Sequence, residues 1–259
     1  MTVTFIRHQF ALSNVSDQQL RFPPFLLVGD AGIGKTEYML TLANLCQTTL
    51  EVIDISSAQS GATLSGSESF WGNTKTGVIF NSLMFNDIAN PIFMLDEIDK
   101  ANESLSYQPL AALHGLLEAR QAKQFKDLSV PDILIDASNI IWIATANSVD
   151  SIEKPIVDRF LVFHVETPTV KQMINIVSNQ YSRYLSHSVA GQFFEAEIRR
   201  DVVDELCKYY PRSVKKRLSM AFGFAANEQR NYLTVSDIQN NKLNEERKKR
   251  GVGFMGVDI

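Results

Sequence analysis

Eight consecutive residues, Gly29-Asp30-Ala31-Gly32-Ile33-Gly34-Lys35-Thr36, fit the pattern GxxxxGK[ST]. They stand between an apolar run at 25–28 and a helical pattern at 36–46, where Met39, Leu40, Leu42 and Ala43 recur at helix spacing. A strand that turns within a few residues into a helix needs glycine, whose missing Cβ allows a tight bend and lets backbone N–H groups approach phosphate oxygens. The helix N-terminus adds a favourable field for negative charge. In such a loop Gly29 to Gly34 form the cradle, Lys35 reaches the β- and γ-phosphates, and the Thr36 hydroxyl ligates Mg²⁺. An ordinary glycine turn is the alternative, and the strand before and helix after argue against it.

The rest of the first two thirds repeats the alternation of short buried strands with helices that marks a parallel α/β sheet. Strands are expected at 25–28, 50–55, 92–95, 140–144 and 160–165, with a helix at 103–120 carrying Leu105, Leu110, Leu113, Leu116 and Leu117. After His164 the pattern is helical throughout. Thr169 with Gln172 reads as a capping box, helices are expected at 198–209 and 214–226, and residues 233–238 read as a short capped helix. The expected division is an α/β domain at 1–165 and a helical domain at 166–259, whose basic 245–250 tail is solvated.

Two further strands end in polar residues. Ile92-Phe93-Met94-Leu95-Asp96-Glu97 places Asp96 at the carboxyl edge of the sheet, where open α/β sheets bind ligands and where it can hold Mg²⁺. Glu97 beside it can orient or deprotonate an attacking water; the alternative is a pair of acids that merely opens a helix. Asp99 and Lys100 read as a local ion pair or a subunit contact. Ile143-Ala144-Thr145-Ala146-Asn147 brings an amide to the same edge, and Lys154 to Phe160 set Arg159 just before the last strand, as a functional arginine or a surface salt bridge.

In this order the motifs resemble those of the AAA+ ATPases, and most closely the ATPase module of the Lon protease family. The likeness runs from the phosphate loop through Leu95-Asp96-Glu97-Ile98-Asp99-Lys100, Ala144-Thr145-Ala146-Asn147 and 155–160 to Pro211-Arg212-Ser213-Val214-Lys215. The resemblance implies ATP or ADP with Mg²⁺ as cofactors and a P-loop AAA+ domain with a five-stranded parallel sheet in the order 5-1-4-3-2, followed by a helical lid. Asp96 and Glu97 would be the Walker B acids, Asn147 sensor 1, Arg159 an arginine finger acting on a neighbouring subunit, and Arg212 the sensor 2 arginine. It further implies a homo-oligomer, a hexameric ring, that remodels or translocates a protein of unidentified nature.

Phe70, Trp71 and Gly72 fall where that family carries a pore loop that grips polypeptide, Trp71 replacing a smaller apolar residue; a loop anchored in the core is the alternative. Residues 122–136 resemble the hairpin before sensor 1. The chain departs from the family in having Asp30 for a common proline, only 28 residues before Gly29 with which to complete an adenine pocket, and no room for a Ser–Lys peptidase, so peptide cleavage is not expected.

Charge and composition narrow the alternatives. The net charge is −4, yet residues 1–164 carry 10 Lys/Arg against 18 Asp/Glu and residues 165–259 carry 15 against 11. An acidic core with no basic recognition helix places a DNA loader or remodeller second, and intact Glu97 and Arg159 argue against a non-hydrolysing assembly scaffold. No apolar run reaches the ~18 residues of a membrane span, and no secretory leader is evident, so the cytoplasm is expected. Cys46 and Cys207 read as buried thiols within helices. His8, His114, His164 and His187 lack metal-ligand spacing.

Overall fold

The computed structural model describes residues 2–16, 20–56, 62–67, 74–101 and 110–240. Its first unit comprises residues up to Asp30 together with Lys35–Val165; the second comprises Ala31–Gly34 and the chain from Glu166 onward.

The first unit contains α1 (Thr2–Ser16), β1 (Phe25–Val28), α2 (Lys35–Cys46), β2 (Leu50–Asp54), α3 (Ala62–Ser65), α4 (Val78–Phe85) and β3 (Ile92–Asp96). A 3-10 turn (Ile98–Lys100), α5 (Leu113–Leu116), α6 (Ala119–Ala122), β4 (Ile141–Ala146), α7 (Lys154–Val157) and β5 (Leu161–His164) complete it. The strands form one parallel sheet in the order β2-β3-β4-β1-β5, the order expected. Parallel sheets need cover on both faces, and the alternation along each central strand supplies it. Phe25 and Leu27, Ile92 and Met94, and Ile141 and Ile143 pack with Met39, Leu42 and Ala43 of α2. Leu26 and Val28, Phe93 and Leu95, and Trp142 and Ala144 pack with Leu64, Ile79, Leu113 and Leu116. The outer strands β2 and β5 are more exposed, as edges are.

Helix α1 has little amphipathic periodicity and was not expected from the sequence; of its residues only Ile6 is buried. It is held by an aromatic cluster in which Phe5 lies 6.0 Å from Phe25 and 5.3 Å from Phe163 between ring centroids. Contacts of this geometry add to the area they bury.

The helix expected at 103–120 is corrected in its described part. Residues 110–122 form two short turns, α5 and α6, joined by Glu118 in an extended conformation. The break lets Leu113 and Leu116 stay in the core while Ala122 meets Ala137, whose N–H donates to the Ala122 carbonyl at 2.9 Å. The segment resembling a hairpin closes on a single antiparallel bridge, Phe125 to Ile135. Its fully buried Asp127 accepts from the Gly77 N–H at 2.8 Å and from the Ser129 N–H at 2.9 Å. Gly66 stands at φ +79°, and a Cβ there would lie 2.1 Å from Asp127 Oδ1, so no other residue fits.

The second unit is helical: α8 (Val170–His187), a 3-10 turn (Val189–Phe193), α9 (Arg200–Leu206), α10 (Pro211–Asn227) and α11 (Val235–Gln239). Thr169 and Gln172 form the expected capping box of α8. Phe222 of α10 lies at the centre, stacked on Tyr184 at 3.9 Å and edge-on to Phe194 at 4.7 Å. Asp237 caps α11 and takes two hydrogen bonds from the Arg230 guanidinium, at 2.8 and 3.0 Å. The cysteines are half-buried rather than buried, since Cys46 closes α2 and Cys207 follows α9. Burial still pushes the Cys46 thiol up to about 11. No helix among the described residues is long and apolar enough to cross a membrane.

Candidate functional site

Because β1, β3 and β4 are parallel, Val28, Asp96 and Ala146 end at one edge of the sheet, and the residues that follow them meet there. After β1 the chain turns through Gly32 at φ +76° and Gly34 at φ +105°, left-handed conformations that favour glycine. Lys35 then opens α2. Its ammonium donates to the carbonyls of Gly29 at 2.5 Å and Asp30 at 3.1 Å, and to Asn147 Oδ1 at 3.3 Å. Burial pushes Lys35 below the ordinary lysine range against the opposing pull of Asp99, Asp96, Asp30 and Glu97. A cation in the first turn of a helix that follows a glycine turn suits a polyanion, because the loop and helix N–H groups add to its field.

Thr36 Oγ1 lies 3.5 Å from Asp96 Oδ2. A hydroxyl and a carboxylate this close are hard oxygen donors of the kind Mg²⁺ takes while retaining several waters, so the pair fits that ion. Asp96 is oriented by Thr145, whose hydroxyl donates to Asp96 Oδ1 and accepts from the Glu97 N–H at 3.0 Å. Thr145 is fully buried in β4. Sequence reasoning passed over it, although a hydroxyl inside the otherwise apolar strand 141–146 was the available signal.

Glu97 has φ 56° and ψ 49°, a left-handed conformation that costs a non-glycine residue ~1 kcal/mol or more. The strain turns the chain abruptly from β3 into the 3-10 turn at Ile98–Lys100. It also decides the local ion pair, which Lys100 makes with Glu97 rather than with Asp99. Lys100 pairs with Glu97, Nζ to Oε2 at 2.5 Å, and this hydrogen bond pushes the lysine up. Asp99 instead accepts the Asn147 backbone N–H at 3.1 Å.

Arg159 donates to the Pro155 carbonyl at 2.6 Å, and its Nε is 3.1 Å from Glu118 Oε1. Arg212 is in the first turn of α10 in the second unit. Phe70, Trp71 and Gly72 lie outside the described residues. A separate cleft of about 400 Å³, lined by Gln9, Arg21, Phe22, Leu117, Ser138 and Trp142 among others, shares no residue with the phosphate loop.

The model of the ATPase family associated with various cellular activities (AAA) matches residues 25–167, more than half of the chain. The chain belongs to the AAA family of ATPases. It is therefore a nucleotide-binding protein and an ATPase, with the P-loop α/β fold of that family. The ATPase is 25% identical to the Lon protease of Mycoplasma mycoides subsp. mycoides over 225 residues, covering 82% of this chain and 28% of that protein. It is 31% identical to Lon protease 2 of Borreliella burgdorferi over 152 residues, covering 58% of this chain and 19% of that protein. It thus spans less than a third of the length of these relatives. The fold is also that of RuvB from Thermotoga maritima, with a TM-score of 0.63 at 14% identity over 92% of this chain and 67% of that one.

Proposed function

We propose that this AAA ATPase hydrolyses Mg²⁺-bound ATP as one subunit of a ring, hexameric by its Lon resemblance, and couples the cycle to remodelling or translocating a protein in the cytoplasm. The observation that carries the reading is the meeting of Lys35, Thr36, Asp96 and Asn147 at the carboxyl ends of β1, β3 and β4. When bound, Mg²⁺ would neutralise charge on the phosphates, held by Thr36 and Asp96. Lys35 binds the phosphates, Glu97 orients the attacking water and accepts its proton, and Asn147 holds that water or the γ-phosphate from the other side. In the single chain Glu97 is engaged by Lys100, so its carboxylate must exchange that partner for water before it can act.

The chain would be read as the α/β domain at 1–165 and a lid at 166–259 that brings Arg212 to the nucleotide. Arg159 is assigned to the neighbouring subunit's site. Its contacts with Pro155 and Glu118 support that role, because they leave it unrelated to its own phosphate loop. Phe70, Trp71 and Gly72 are assigned to the grip on polypeptide. Protein is preferred to DNA as the cargo because the sequence likeness is to Lon, whereas RuvB shares the fold alone.

Mixing Lys35→Ala with Arg159→Ala subunits tests the composite site. Each variant alone should be inactive, and mixtures should regain part of the turnover because mixed rings contain an intact Lys35 facing an intact Arg159. Arginine fingers contribute about 10³ to 10⁵ in rate in related chemistry, so recovery would stand well above background. Hydrolysis independent of concentration in a strict monomer would overturn both the finger and the ring.

A further inference from the structure

The sheet ladder stops just short of Asn147. Strand β1 pairs with β4 only as far as Val28 opposite Ala146, and β3 pairs with it only to Leu95 opposite Ala144. The Ala146 carbonyl is taken by the Gly29 N–H at 3.2 Å as the phosphate loop begins. The next backbone donor, the Asn147 N–H, therefore has no strand beside it to accept its proton. Its acceptor is Asp99 Oδ2 at 3.1 Å, delivered by the 3-10 turn that follows the left-handed Glu97. That turn is itself anchored: Ile98 is buried, and Ser151 Oγ donates to the Asp99 carbonyl at 2.8 Å. The second carboxylate oxygen, Oδ1, is buried without a hydrogen-bond partner, so the side chain is committed to a single bond. A carboxylate oxygen held that way costs stability.

We propose that Asp99 is a positioning residue for hydrolysis, acting through Asn147. By fixing the backbone of Asn147 at the end of β4, it sets the point from which the Asn147 amide, 3.3 Å from Lys35 Nζ, reaches the γ-phosphate and its water. Misplacing a group by an ångström in such a site costs rate more than affinity. The proposal rests on the role given above to Asn147 and adds the residue that places it.

A competing account is available on the same geometry. Asp99 also contributes negative charge beside Lys35, and could act only by that charge. Two substitutions separate the accounts. Asp99→Asn keeps an oxygen of the same reach to accept the Asn147 N–H and removes the charge. Asp99→Glu keeps the charge and displaces the carboxylate by one methylene. Positioning predicts that Asp99→Asn turns over faster than Asp99→Glu, and charge predicts the reverse.

The experiment measures kcat at saturating ATP, nucleotide Kd and melting temperature for Asp99→Asn, Asp99→Glu, Asp99→Ala, Asn147→Ala and the Asp99→Ala/Asn147→Ala pair. Loss of a hydrogen bond to a charged group should lower the kcat of Asp99→Ala about tenfold or more. Its Kd should stay within about threefold, and the double variant should be no slower than Asn147→Ala alone. If Asp99→Ala does not fold, the order of Asp99→Asn and Asp99→Glu decides the matter. The proposal is overturned if Asp99→Glu is the faster of those two, or if the double variant falls by the product of the single losses. It is overturned too if Asp99→Ala is slow while Asn147→Ala turns over normally. Slow Asn147→Ala with normal Asp99→Ala would sink this inference and leave the role of Asn147 standing; normal turnover in both would remove both.

Discussion

Replacing Thr145 with valine keeps the shape of a fully buried side chain and removes one oxygen that bonds both the Asp96 carboxylate and the Glu97 backbone. Two bonds are lost: the Thr145 hydroxyl no longer donates to Asp96, and the Glu97 N–H no longer has an acceptor. An unsatisfied buried partner costs about 1 to 3 kcal/mol, and because Asp96 and Glu97 are only half-buried the lower end applies, about 2 kcal/mol for the pair. At roughly 2 to 4 °C per kcal/mol for a chain of this size, melting should fall by about 4 to 8 °C.

The larger effect should be on rate. The Glu97 N–H bond helps hold a backbone conformation that costs ~1 kcal/mol or more. Once it is gone the turn at Glu97 can relax, and each 1.4 kcal/mol of lost organisation is about tenfold in turnover. Thr145→Ser provides the control. It keeps the hydroxyl and deletes a methyl group at a cost of about 1 kcal/mol, so it should lower the melting temperature and leave kcat within about threefold. Differential scanning calorimetry and steady-state ATPase rates on the two variants decide the point. Equal turnover for valine and serine would refute the reasoning, since packing would then be the whole contribution of this residue.

Glu97→Gln should bind ATP and hydrolyse it about 10² to 10⁴ times more slowly, because it preserves shape and removes the base; near-native turnover would reassign the role. Replacing Phe70 and Trp71 together with alanine should leave nucleotide Kd within about threefold and abolish stimulation of hydrolysis by unfolded protein, whereas core residues would instead cost about 3 to 5 kcal/mol each. A large fall in melting temperature and basal rate would defeat the pore-loop assignment. In the helical unit, burial pushes the Asp237 carboxyl upward, but hydrogen bonds from Arg230 and Thr234 prevail and hold it below the usual carboxylate range. Its contribution is therefore complete above the unfolded value near 4 and is lost as pH falls through the lower folded value. Asp237→Asn should flatten the acid limb of stability measured by circular dichroism from pH 5 to about 2; an unchanged limb would place the linkage elsewhere.

The parts legible in the sequence were those with a local signature. The glycine spacing of the phosphate loop, the apolar runs of β1, β3 and β4, and the Thr169–Gln172 capping box are written in consecutive residues. What escaped was decided by residues distant in sequence. Helix α1 is held by Phe5 against Phe25 and Phe163 rather than by its own periodicity. The leucines of α5 suggested one long helix because spacing does not reveal that Glu118 is extended. Within the site, acids and lysine in Glu97-Ile98-Asp99-Lys100 could pair in several ways. The left-handed backbone at Glu97 decides among them, giving Lys100 to Glu97 and Asp99 to Asn147.

Trp142 sits five positions before Asn147 in β4, 2% exposed and 5.2 Å from Phe93 between ring centroids. The chain has two tryptophans, and the other is Trp71. Light absorbed by Trp142 is therefore emitted from an apolar setting in the strand that leads to Asn147, a channel that needs no label and that a Trp71→Phe variant isolates. A shift of that blue-edge signal on adding nucleotide would report on the sheet itself, and a stopped-flow trace would time the response of β4 against the release of phosphate.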